Sequence, residues 1–167
     1  MSLLSDIAEC NNNQLTRKAI DKFPQELDLQ SMPLNSTTTA LLCKVLSRQK
    51  KTLNKVYLIG CLSAPDDTQQ VISAIMKMPG RIRVLWLGGS ILSELPPISF
   101  FAKIKEELWM WNCFAAPDDG TRKKKRHVNK DESSQIQKML NQLNNPLLEV
   151  YLGFDDDNVP IILRSQT

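Results

Sequence analysis

The sequence predicts an α/β fold in which a short strand and a helix alternate about five times within one domain. Two observations support this prediction. A seven-residue motif occurs twice, and apolar residues recur along the chain with a fixed spacing. The motif is Cys-x-x-Ala-Pro-Asp-Asp, at residues 61–67 and again at residues 113–119. Self-similarity with a period of about 20 to 50 residues is typical of chains built from stacked units.

The composition is that of a globular protein. Of 167 residues, 42% are apolar and 23% are charged, and no apolar run approaches the ~20 residues of a membrane-spanning helix. The first ten residues lack the basic stretch and apolar core of a secretory signal. Four cysteines without a Cys-x-x-Cys pair favour a reducing compartment over a disulfide framework or a zinc site. We therefore expect a cytoplasmic protein, with the nucleus as an alternative location.

Each predicted strand follows one template, with apolar residues at its first, fourth and sixth positions and a small or polar residue at its ninth. The sixth position falls at Leu29, Leu58, Leu87, Met110 and Leu152, at steps of 29, 29, 23 and 42 residues. In the unit around Trp109 the first template position is not apolar, because Lys105 occupies it. In the last unit the first template position is Leu147. The equal steps indicate two regular units, the short step a contracted unit, and the long step an insertion over residues 117–132.

Helical patterns lie between these strands. Residues 1–23 are amphipathic and predict a helical cap before the first strand. A helix behind Ser36 and one that starts near Asp66 and stops at Pro79 follow the first two strands. Pro96 and the proline after it allow only a short turn of helix after the third strand, and the last helix is expected behind Ser133 and Ser134. Residues 156–167 are expected to cover the last strand as a C-terminal cap.

This strand–helix unit of about 28 residues resembles the leucine-rich repeat, in its ribonuclease-inhibitor-like subtype. The resemblance covers residues 24–155 and departs from the family where Cys, Ser, Met or Asp replaces the asparagine that closes each turn. It implies a short solenoid of about five units with a parallel sheet on the concave face. Because such arrays occur in NACHT-type innate-immune receptors and in intracellular adaptors, the resemblance also implies a role in sensing or immune regulation.

The residues between template positions are expected to face away from the helices. The central column contains Asp28, Tyr57, Trp86, Trp109 and Tyr151, and the next column contains Trp111. All three Trp and both Tyr of the chain thus fall on one face of the sheet. Large aromatic residues dominate protein-binding hot spots, so we expect a contact stripe here, with polar edges at Asp28 and Glu149. The alternative is that the chain covers this stripe itself, as parallel sheets are often buried on both faces.

One short run holds much of the basic charge: Arg122, Lys123, Lys124, Lys125 and Arg126. Without these five residues the net charge of the chain would be −2 rather than +3. The sequence predicts a solvated loop in the insertion. A nuclear-import signal and an electrostatic contact to nucleic acid or acidic lipid remain as alternatives.

No pattern of catalytic residues is present. The chain has one histidine, His127, within the basic segment, and it contains no glycine-rich phosphate loop. We expect no metal and no cofactor, and we expect the protein not to be an enzyme.

The sequence therefore predicts a protein–protein interaction module or adaptor that binds a protein partner through the aromatic stripe. A nucleic-acid-associated or nuclear-targeted protein acting through residues 122–126 and an obligate scaffold subunit of a larger complex are the alternatives. The oligomeric state is left open.

Overall fold

The computed structural model describes residues 13–30, 32–62, 64–89, 92, 94–111, 114–115, 125–126, 128–155 and 157–166. Within these ranges the chain forms five helices and a six-stranded, mostly parallel sheet, which confirms the predicted α/β class. The elements follow in the order α1 (Asn13–Asp21), β1 (Glu26–Asp28), α2 (Ser36–Leu46), β2 (Leu53–Tyr57), α3 (Pro65–Lys77), β3 (Ile82–Trp86), α4 (Ile98–Phe101), β4 (Ile104–Trp109), β5 (Phe114–Ala115), β6 (Lys125–Arg126), α5 (Lys130–Leu143), β7 (Glu149–Phe154) and β8 (Pro160–Arg164). No helix among the described residues has the length and apolarity needed to cross a membrane.

The main sheet has the order β1-β2-β3-β4-β7-β8, so its first five strands lie side by side in the order of the chain. These five strands are parallel, and β8 returns antiparallel to β7. The register aligns one row of inward-facing residues, one from each parallel strand: Leu27, Val56, Leu85, Leu108 and Val150. The strands therefore stack with the spacing that the template predicts.

Helices α2 and α5 begin where a local side chain satisfies free backbone N–H groups, whereas α3 begins with a proline and has no such cap. The carboxamide of Asn35, rather than Ser36, caps α2 by accepting from the backbone N–H of Thr38 at 2.8 Å. In α3, Pro65 stands at the first position, and Asp66 and Asp67 lie in the first turn, where negative charge offsets the helix dipole.

The last helix starts earlier than predicted. A capping box joins Asn129 and Glu132, each side chain accepting from the other residue's backbone N–H, so α5 begins at Lys130 instead of behind Ser133 and Ser134. Residues 125–126 also form a two-residue antiparallel ladder with residues 114–115. The last three residues of the predicted insertion over residues 117–132 therefore belong to α5, and two residues of the basic run form part of a short ladder.

The core lies between the inward row of the sheet and the helices, which contact one another in chain order from α1 to α5. Phe100 and Phe101 of the short helix α4 are fully buried and meet edge to face at 5.5 Å between ring centroids. One apolar cluster includes both phenylalanines, the inward row and the buried faces of α2, α3 and α5. Burial of this shared core accounts for the stability of units that could not bury both faces alone.

The template fails at its first position in the last two units. In β4, Ile104 is buried where the template places Lys105, because the register between β3 and β4 shifts by a bulge. In the last unit Leu148 is buried, and Leu147, the template residue, is 65% exposed. The apolar position moves by one residue in each case, which a rigid spacing rule cannot follow.

Candidate functional site

The four rings of the central column lie in register on adjacent strands. Tyr57 is paired with Trp86, Trp86 with Trp109, and Trp109 with Tyr151. The rings stack, with centroid separations of 4.2, 4.6 and 5.0 Å and angles of 26° to 28° between successive planes. Each ring is half-buried. We call these four residues the aromatic ladder.

Because the rings stack on one another, the ladder presents their edges rather than their faces. Trp86 and Trp109 each have a ring on both sides, so neither inner indole offers a free face. An aromatic ring carries partial positive charge at its edge and partial negative charge on its face. The open side of the ladder is therefore a row of ring edges, suited to carbonyl oxygens or to the faces of other rings.

Two glutamates beside the ladder accept hydrogen bonds from two of its rings. The Trp86 indole Nε1–H donates to Glu107 Oε1 at 2.9 Å. Glu149 is the register partner of Glu107 on the next strand, so it lies in the equivalent position for Trp109. Glu149 instead accepts from the Tyr151 hydroxyl at 2.7 Å and pairs with Arg164 at 3.1 Å. The buried Nε1 of Trp109 has no hydrogen-bond partner among the described residues.

The contact between Glu149 and Tyr151 shifts the pKa values of both groups. The hydrogen bond from Tyr151, with the nearby Arg164, holds the pKa of Glu149 below its ordinary value. The same hydrogen bond, with some burial, raises the pKa of Tyr151 to about 12. At neutral pH the pair is a carboxylate that accepts from a neutral phenol.

A small apolar pocket adjoins the C-terminal end of the ladder. Its volume is about 290 Å³, and its walls are Trp109, Trp111, Tyr151, Gly153, Phe154, Pro160 and Ile162. Trp111 is 40% exposed and meets Phe154 edge to face, at 5.7 Å and 84°. Gly153 has φ +109°, and a Cβ placed there would lie 2.5 Å from Cδ1 of Trp111. The glycine thus permits both the backbone turn and the close approach of the indole.

The structure places the residues proposed from the sequence as follows. Asp28 is exposed on β1 beside Tyr57, and its carboxylate accepts from the backbone N–H of Gln30 at 3.1 Å. Trp111 lies outside the ladder and belongs to the pocket. Glu149 is bound to Tyr151 and Arg164 rather than standing as a free polar edge.

Sequence reasoning missed Glu107, Phe154, Pro160 and Ile162. Glu107 carried a usable signal, since it and Glu149 each precede a ladder ring by two residues. Ile162 lies beside Tyr151 and Pro160 beside Phe154 through the antiparallel pairing of β8 with β7. A template of parallel strands has no place for such a strand, so neither residue could be assigned to the pocket.

The structure describes two of the five residues of the basic run. Arg122, Lys123 and Lys124 lie outside the described residues, as does His127, while Lys125 and Arg126 supply the backbone of β6. No group of three metal-binding side chains occurs in the part of the chain that the structure describes.

Two cysteines lie within the described ranges. Cys61, at the ninth template position, is buried, and its thiol donates to the backbone carbonyl of Leu29 in the preceding unit. Burial, followed by the charge of Asp67, raises the pKa of Cys43 to about 11. The Cys43 thiol therefore lacks the low pKa of a reactive cysteine.

Comparison with known proteins gives no relative: no family model, no curated protein and no solved structure matches the chain.

Proposed function

We propose that this chain is a non-catalytic protein-interaction module of leucine-rich-repeat type that binds a protein partner along the aromatic ladder. The observation that carries the proposal is the ladder itself: four in-register, half-buried rings on the sheet face opposite the core. Large aromatic side chains have few rotatable bonds, and they are the commonest protein-binding anchors.

Two features support the repeat type. The parallel strands follow one another in chain order, with the same row of residues facing the core in each unit. The Cys61 thiol contacts the backbone of the preceding unit, which is the role that the asparagine side chain has in the repeats this chain resembles. The two described cysteines, Cys43 and Cys61, are thiols and not disulfides, which is consistent with a reducing compartment and supports a cytoplasmic or nuclear location.

The ladder suits a partner that meets ring edges. Its rings are held by stacking and by Glu107 and Glu149, so little side-chain entropy remains to be lost when a partner binds. A partner that offers backbone carbonyls or aromatic faces would complete edge-to-face contacts with Trp86 and Trp109. The exposed pocket beside Trp111 would take an apolar side chain of the same partner.

The test is capture of partners from a nuclease-treated cell extract on the immobilised full chain. We expect the double variant Trp86→Ala/Trp109→Ala to lose the partner. Removal of one central anchor costs about 2 kcal/mol, or roughly thirtyfold in Kd. The matched control is Gln69→Ala/Gln70→Ala, two exposed residues on α3 that should leave capture unchanged.

A second variant controls for the possibility that the double variant loses the partner because it is unfolded. Trp111→Ala removes an exposed ring outside the ladder, and it should weaken capture while circular dichroism and Tm stay close to those of the wild type. Equal recovery of the same proteins by the wild type and by a folded ladder variant would overturn the proposal.

A further inference from the structure

Charge is separated between the two ends of β2 and β3. The segments that lead into β1, β2, β3 and β4 are residues 22–25, 47–52, 77–81 and 102–103, and they contain no acidic residue. They carry seven basic residues: Lys22, Arg48, Lys50, Lys51, Lys77, Arg81 and Lys103. The segments after β2 and β3, residues 58–68 and 87–97, carry only acidic charge. We call the edge where the strands begin the basic edge.

The segments of the basic edge lie side by side. Gly80 donates its backbone N–H to the carbonyl of Gln49, Leu53 donates to Arg81, and Ile82 donates to Lys103, each at 2.9 Å. Neighbouring strands are ~4.8 Å apart, so the cations of adjacent segments lie along one edge of the sheet. Distant parts of the sequence thus contribute to one continuous surface.

The part of this edge before β2 is rigidly held. Gln49 is 4% exposed, and its side-chain amide donates to the carbonyls of Ile20 and Val45, each at 3.1 Å. A Cβ on Gly80 would lie 2.2 Å from the carbonyl oxygen of Lys51, so the glycine allows the two segments to touch. A groove of about 660 Å³ opens here, with basic walls at Arg48, Lys50 and Lys51 and one acidic residue, Asp21.

Some of these cations have a structural role. Helices α2 and α3 end at this edge, where positive charge offsets the helix dipole, and the Lys103 ammonium donates to the carbonyl of Met78. Four other cations, Arg48, Lys50, Lys51 and Arg81, lie outside the helices themselves. These four are exposed, and none of them forms an ion pair with a described residue.

We propose that the basic edge binds the phosphodiester backbone of nucleic acid, independently of base sequence, through Arg48, Lys50, Lys51 and Arg81. Phosphate contacts of this kind supply affinity without base readout. An acidic membrane surface fits less well. Membrane-surface binding by a basic face normally adds apolar anchors, and among the described residues no large apolar side chain is exposed on these segments.

The experiment measures fluorescence anisotropy of a short labelled single-stranded oligonucleotide with the full-length protein. With four phosphate contacts, log K should fall with log salt at a slope of about −2.8, so affinity drops about fiftyfold between ~50 mM and ~200 mM salt. Lys50→Gln/Lys51→Gln should reduce the slope by about 1.4 and weaken binding by more than about tenfold at the lower salt.

Two variants with the same change of charge serve as controls. Lys130→Gln/Lys138→Gln alters two exposed cations of α5 and should leave the slope unchanged. Lys123→Gln/Lys124→Gln alters the basic run, and it should not remove binding. The proposal is overturned if the oligonucleotide does not bind at low salt. It is also overturned if binding is lost in the basic-run variant but kept in the edge variant, or if the protein binds phosphatidylserine vesicles through Lys50 and Lys51 and leaves the oligonucleotide free.

Discussion

The aromatic ladder ends in different surroundings on its two sides. On the β1 side the residue next to Tyr57 is Asp28, an exposed carboxylate on a parallel strand of only three residues. On the β8 side the residue next to Tyr151 is Ile162, on an antiparallel strand. The first end is open and polar, whereas the second adjoins an apolar pocket.

The same contrast holds for two indoles in equivalent positions. Trp86 donates to Glu107, whereas Trp109 finds its equivalent acceptor, Glu149, already bound to Tyr151 and Arg164. Arg164 belongs to β8, so the antiparallel strand that covers the edge of β7 also changes the hydrogen bonds inside the ladder. A regular repeat thus gives a uniform row of rings, and the strand that closes the sheet makes one end of that row distinct.

The largest effect should come from the inward row that both ends share. Leu85 is fully buried at the centre of the sheet, so Leu85→Ala should lower the free energy of unfolding by about 2–5 kcal/mol through lost burial and a residual cavity. Leu147→Ala, at a residue that is 65% exposed, should change it by less than about 0.5 kcal/mol. Urea denaturation measures both, and similar values for the two variants would contradict the assignment of the core.

The regular half of the sheet could be predicted from the sequence because its spacing is constant. Leu58 and Leu87 lie 29 residues apart, and the strands before them align in the register that this step implies. The same reasoning placed Tyr57 and Trp86 next to each other, where they stack at 4.2 Å. A period that matches one strand and one helix fixes which side chains share a face.

The C-terminal half could be predicted only in outline. A bulge moves the buried position from Lys105 to Ile104, and a capping box starts α5 ahead of its apolar pattern. The strand β8 pairs antiparallel with β7, and the apolar residues around Pro160 did not indicate that direction. The bulge and the direction of β8 depend on contacts between segments, which local spacing does not encode. The capping box of Asn129 and Glu132 is a local motif that the sequence contained, and the apolar pattern alone did not reveal it.

The second prediction concerns Gly153, which distinguishes the pocket end from the regular half. Gly153→Ala should destabilise the fold by about 1–3 kcal/mol, because φ of +109° is strained for alanine and the new Cβ would clash with Trp111. The displaced indole should also change the tryptophan emission spectrum. Urea denaturation and fluorescence measure the two effects.

Gly88 provides the matched control for that change. It occupies the same column on the β3 side. Apart from its chain neighbours, the atom nearest to a Cβ there would be the carbonyl oxygen of Trp111, at 3.6 Å. Gly88→Ala should therefore change stability by less than about 1 kcal/mol. If both glycines tolerate alanine equally, the close packing of Trp111 on Gly153 is wrong.

The smallest effect should separate the two glutamates by their influence on Tyr151. In a Tyr57→Phe background Tyr151 is the remaining tyrosine, so its ultraviolet absorbance reports its ionisation directly. Glu149→Gln should lower the pKa of Tyr151 from about 12 toward the ordinary value of 10.0, because the hydrogen bond to a carboxylate is its main cause. Glu107→Gln should lower the pKa much less, since Glu107 acts on Tyr151 only through its charge.

The same pair predicts how stability depends on pH. Between about pH 10 and pH 12 an unfolded tyrosine loses its proton while the folded Tyr151 keeps it, so the unfolded state binds fewer protons and stability falls as pH rises. The stabilisation is fully present below pH 10 and is lost through the folded pKa. Because Glu149→Gln removes the cause of the shift, it should flatten this part of the profile, and urea denaturation in alkaline buffers measures it. An unchanged slope in this variant would mean that Glu149 does not hold the phenol, and the asymmetry between Trp86 and Trp109 would then need another explanation.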